Sequence, residues 1–123
     1  MTSNIEPYPS YDEKAFSKDV IAKWGSYNDS LIDDENLLHP QMAHLGRTIA
    51  ESFNEDDGNI GKEVLEFLGA VLARDDSISE IENAIAISFL EYSELEELGI
   101  INLVPITILN IVREQKERWE NAT

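Results

Sequence analysis

The sequence predicts an all-α fold, a single-domain bundle of five to six helices. Three observations carry that expectation. The chain has 123 residues, the length of one domain with one modest core. Apolar residues recur at three- and four-residue steps in successive stretches, most of them opened by a capping signal or a proline. No hairpin signal interrupts them, since Asp57-Gly58 sits between helical patterns rather than between alternating strands. There is no internal repeat, low-complexity tract or long linker, so residues 1–123 read as one helical domain.

Residues 1–10 hold two of the four prolines, Pro7 and Pro9, and read as an extended N-terminal arm. Ser10 and Glu13 have the spacing of a capping box, which satisfies free amides at a helix start. A first helix is expected from about Tyr11 to Trp24, with Phe16, Val20 and Trp24 on one face and Gly25 as its stop. Between Ser26 and Leu38 the pattern is weak, and a loop with one short helical turn fits it. Pro40 suits the first turn of a second helix, whose stripe is Met42, Leu45, Ile49 and Phe53. Glu55 to Asn59 is a turn by its chemistry.

Ile60, Val64, Phe67, Leu68, Val71 and Leu72 form the broadest apolar stripe, closed by Arg74 and Asp75-Asp76. Ser77 and Glu80 repeat the capping-box spacing ahead of a helix from about Ser79 to Tyr92. The middle of that helix, Ala84 to Leu90, is apolar nearly all round. This predicts a central helix buried on several sides, with a buried strand as the alternative. Ser93 and Glu96 open a further short helix that Gly99 closes. Pro105 sets up the last helix, to about Glu120, with Ile108, Leu109, Val112 and Trp119 inward. Its β-branched first half leaves a strand as the lesser alternative.

Charge narrows the function. Twenty-five acids against nine bases give a net charge of −16. Such a chain repels phosphate, which argues against direct binding to nucleic acid or to an anionic membrane. No basic, apolar leader is visible at the start and no apolar run approaches a membrane span, so a reducing cytoplasm is the expected setting. The absence of cysteine excludes disulfides, zinc–thiolate sites and cysteine nucleophiles. There is no GxSxG, HExxH, phosphate loop or alternating calcium-loop spacing. His39 and His44, five apart, share no helix face and read as a helix-end residue and a surface or core-edge imidazole. No catalytic residue, cofactor or metal is expected.

The acids are unevenly placed. Residues 1–50 carry eight acids and four bases, residues 51–100 carry fourteen and two, and residues 101–123 carry three of each. Three quarters of the imbalance therefore lies in the middle fifty residues. Glu80, Asn83, Ile87, Glu91 and Glu94 step by three or four and share one helical stripe. The plain reading of any single acid is a solvated face. A concentrated field that strains the fold by self-repulsion is better rationalised by a basic partner. The candidate partner-binding residues are Asp75, Asp76, Glu80, Glu82, Asn83, Glu91, Tyr92, Glu94, Glu96 and Glu97, with Tyr92 as an interface anchor. Trp24 and Phe89 read as core.

Three stretches carry a resemblance: Ala84-Ile-Ala-Ile-Ser-Phe-Leu-Glu91, the acidic Glu94 to Gly99 segment, and Leu103-Val104-Pro105 ahead of the last helix. From about His39 to Gln115 the chain resembles small, acidic, helical immunity proteins of bacterial contact-dependent growth inhibition and related polymorphic toxin systems. The resemblance implies a protein that binds one cognate toxin domain and blocks it. The nuclease-colicin immunity proteins are also small, acidic and helical. This sequence lacks their tyrosine-pair segment before a proline, so none of their binding residues carries over. The expectation is an immunity protein that neutralises a basic toxin, a nuclease, through an acidic face. The alternatives are a nucleic-acid mimic that inhibits a DNA- or RNA-binding protein, and a helical adaptor or scaffold subunit.

Overall fold

A computed structural model describes residues 11–55, 57–90, 95 and 99–122, with the side chains of 115, 116 and 119–122 left aside. Among these residues the fold is all-α, with six α-helices and no strand. They are α1 (Glu13–Trp24), α2 (Ser30–Asp33), α3 (Leu38–Glu55), α4 (Asn59–Leu72), α5 (Ser79–Ala84) and α6 (Ile106–Ala122). A π-helical turn, Ile85–Phe89, continues α5, and a 3-10 turn, Ile101–Leu103, precedes α6. The expected arm and the Ser93–Glu96 cap lie outside the described residues, apart from Leu95, which is buried.

The helix starts differ from the expected caps. Asp12, not Ser10, caps α1: its carboxylate accepts the Ala15 N–H at 2.9 Å. Ser10 lies outside the described residues. Two acceptors stood two positions apart, and the backbone left the helix at Asp12. Ser77 caps no helix start. Its hydroxyl donates to the Val71 carbonyl at 3.0 Å, so it serves the end of α4, and α5 begins after Ile78 without a side-chain cap. The loop after α4 folds back so tightly that Val71 is the nearer partner. Gly25 ends α1 in the ordinary right-handed conformation rather than the left-handed one.

The central helix is α3, not the helix containing Ala84 to Leu90. Leu38, Gln41, Met42, Leu45, Ile49 and Ser52 are all buried, and α3 packs on α1, α2, α4, α5 and the π turn. Ala43 and Gly46 keep its flanks thin enough for close approach. Ala84, Ile85 and Phe89 are buried as expected, but Ile87 is 56% exposed. A π turn holds more residues per turn than an α-helix, so α-helical spacing no longer assigns its faces. Gln41 ties α2 to this centre by donating to the Leu31 carbonyl at 2.9 Å.

On α4 the predicted stripe faces the core, joined by Leu65. At the α4–α6 crossing the last helix lies against Gly69, whose carbonyl accepts the Thr107 hydroxyl at 2.9 Å. A Cβ on Gly69 would stand 2.6 Å from Pro105. Ile108 and Ile111 are buried on α6, while Leu109 packs against the core edge and Val112 is half-buried. An aromatic cluster closes the other side. Phe16 stacks on Phe67 at 5.9 Å, with Tyr11 and Trp24 edge-on to the pair.

The α3–α4 turn passes through Asp57 and Gly58, both at positive φ. Gly58 donates to the Ser52 carbonyl at 3.0 Å, and a Cβ there would meet the Phe53 ring at 2.2 Å. Gly99 also has positive φ, but among the described residues nothing stands within 4 Å of its Cβ position. Gly99→Ala should therefore cost about 1 kcal/mol, the left-handed penalty alone. Gly58→Ala should cost roughly 1–3 kcal/mol more, since Phe53 must move. Urea unfolding of both variants checks the difference; equal losses would mean that Phe53 yields freely.

Candidate functional site

Asp75, Asp76, Glu80, Glu82 and Asn83 are exposed in the loop after α4 and on α5. Glu91, Tyr92, Glu94, Glu96 and Glu97 lie outside the described residues. The five described positions are not equivalent. Asp76 is held by Arg74 in a two-point ion pair, Nε to Oδ1 at 2.8 Å and the terminal nitrogen to Oδ2 at 2.9 Å. This hydrogen bonding keeps the Asp76 carboxyl below its ordinary range and the Arg74 guanidinium above its own. Arg74 also lies 3.9 Å over the Tyr11 ring. Asp76 thus belongs to a clamp on Tyr11, whose N–H donates to the Asp76 carbonyl at 2.8 Å.

The Tyr11 phenol completes this clamp by donating to the Asp19 carboxylate. Burial first, and the bond to Asp19 second, push its pKa well above the usual phenol value of 10.0. The folded value lies above the unfolded one, so the stabilisation is complete below pH 10 and is lost as pH rises past it. Urea unfolding at pH 8 to 11 should show the advantage of the wild type over Tyr11→Phe shrinking with pH. A constant difference would mean that the phenol ionises as freely in the fold as outside it.

Glu80 and Asn83, three apart on α5, open onto a groove of about 330 Å³. Its other walls are Glu13 at the start of α1 and the segment Asn36 to Pro40 leading into α3. The entering segment is firmly held. Asn36, at φ 65°, donates its N–H to the Ser17 hydroxyl at 2.9 Å. That turn sends Leu38 into the core and leaves Leu37 53% exposed on the groove. The His39 Nδ1 lies 2.7 Å from the Ser88 hydroxyl, fixing the groove wall to the π turn. Glu82, two residues from Glu80, does not line the groove. The predicted stripe survives as far as Asn83, and exposed Ile87 stands four residues on.

Sequence reasoning assigned no partner role to Glu13, Leu37, His39 or Pro40. Glu13 was visible only as half of a cap, and Leu37-Leu38 as an undivided apolar pair beside a polar break. His44, the other histidine, takes the core-edge place of the two expected for it, its Nε2 2.6 Å from the Asp34 carboxylate.

A second groove, about 480 Å³, is lined by Lys23, Trp24, Glu63, Glu66 and Phe67. The Lys23 ammonium lies 5.4 Å over Phe67, and the buried Trp24 indole N–H has no hydrogen-bond partner among the described residues. Among the described residues no group of three or more His, Asp and Glu side chains is placed to hold a metal ion, and no helix is long and apolar enough to cross a membrane. The fold and grooves define an acidic helical bundle with a half-apolar, half-acidic recess. No protein-family model, curated protein or solved structure matches the chain.

Proposed function

We propose that this chain is an immunity protein of a contact-dependent growth inhibition or related polymorphic toxin system, acting in the cytoplasm. It binds a cognate basic toxin domain, a nuclease, and blocks it by contact rather than by chemistry. The observation that carries this reading is uncompensated, exposed acid in the loop after α4 and on α5. Residues 51–100 hold fourteen acids and only Lys62 and Arg74 as bases, and Arg74 is spent on Asp76. Asp75, Glu80 and Glu82 are left exposed, with no ion pair among the described residues. Nucleases grip phosphate backbones and so present the opposite charge. An acidic face steers such a domain into contact, and apolar anchors then hold it.

The test is co-expression with the C-terminal domain of a long secreted protein encoded next to this gene, a neighbour that the reading requires. The expected result is that the domain arrests growth alone, is harmless with this chain, and copurifies with it one to one. Growth arrest that persists despite equal expression of both proteins would overturn the reading.

A further inference from the structure

We infer that the groove between α1, the Asn36–Pro40 segment and α5 is a socket for an arginine side chain of the partner protein. The inference rests on the reading above for the partner's basic character, and on the groove itself for its chemistry. Its lining is apolar at Leu37, Leu38 and Pro40 and polar along a rim of the exposed residues Glu13, Glu80 and Asn83. No lysine or arginine lines it, and neither carboxylate meets a cation among the described residues.

An anionic ligand would be repelled by that rim. A purely apolar one would strip water from two carboxylates and give nothing back. An arginine fits both halves. Its aliphatic stem covers Leu37 and Pro40, and its planar fork of five donors serves Glu13, Glu80 and the Asn83 carbonyl together. Lysine offers a compact, strongly hydrated point charge and leaves part of that rim unserved. The volume, about 330 Å³, lies at the low end of ligand pockets and gives ample room for one long side chain.

The experiment is an NMR titration of the ¹⁵N-labelled chain with N-acetyl-arginine amide, with N-acetyl-lysine amide as comparison at equal ionic strength. The expected result is saturable shifts centred on the Asn83 side-chain amide and the Leu37 and His39 backbone amides. A Kd on the order of 1 mM suits so small a probe. Binding should weaken at least threefold in Glu13→Gln and in Glu80→Gln, and stay unchanged in Glu63→Gln, which alters the other groove. Both tested acids are exposed, and an otherwise superimposable spectrum certifies the fold of each variant. Shifts that rise linearly at every acid, equal response to the lysine amide, or indifference to Glu13→Gln and Glu80→Gln would each overturn the socket. Those outcomes would leave toxin neutralisation standing on the other acids. A saturable site in a chain that neutralises no toxin would instead keep the socket and remove the toxin.

Discussion

Phe16→Ala should remove most of the stability of this fold. Phe16 has no exposed surface, and its ring bridges Tyr11 on one side and Phe67 on the other. Truncating a fully buried phenylalanine costs about 3–5 kcal/mol, from lost transfer energy and the cavity left behind. Each aromatic pair adds about 0.5–1.5 kcal/mol beyond burial. Domains of this size hold only about 5–15 kcal/mol in total. The loss spreads further than one side chain, because Phe67 also supports Trp24 edge-on at 5.3 Å. Phe16→Leu keeps most of the volume and should cost no more than about 1.5 kcal/mol. Urea unfolding followed by tryptophan fluorescence reads both variants. A loss below about 1 kcal/mol for the alanine variant would mean that α1 does not pack on α4 through this ring.

The same residues show which parts of the fold could be read in advance. Phe16, Val20 and Trp24 lie on one helical face, and their burial followed from spacing alone. So did the stripes of α3 and α4, where long amphipathic segments leave one face to bury. The reading failed where a partner distant in sequence decided the local geometry. The π turn at Ile85–Phe89 is fixed against α3, with Ser88 bonded to His39, a contact across forty-nine residues that no periodicity encodes. Leu37 and Leu38 are chemically identical neighbours, and only the positive φ of Asn36 decides which one the core takes. The candidate site divides in the same way. Its acids could be named from composition, but the capture of Asp76 by Arg74 depends on how one loop turns. That Glu13 and Glu80 line one groove depends on α1 packing beside α5.

That difference among the acids sets the second large effect. Neutralising Asp75, Glu80 and Glu82 together, as Asp75→Asn, Glu80→Gln and Glu82→Gln, should slow capture of the cognate toxin domain on the order of tenfold at low salt. Electrostatic steering lifts association rates by about 10–1,000-fold, and these three carboxylates are exposed with no cation beside them among the described residues. Asp76→Asn should have a smaller effect on rate. It removes one negative charge where the triple variant removes three, although it leaves the Arg74 guanidinium, 2.8 Å away in the wild type, without its partner. The effect should fade with ionic strength, because at about 1 M salt the screening length shrinks to about 3 Å. Wild-type and triple-variant rates should then converge, while the dissociation rate changes less. Misfolding cannot imitate this pattern. Removing three like charges relieves self-repulsion, so the triple variant should unfold at equal or higher urea than the wild type. Stopped-flow mixing across a salt series measures every quantity involved. If neither the rate nor its salt slope changes, the toxin is met by another part of the surface, and the acids of α5 serve only to keep the chain in solution.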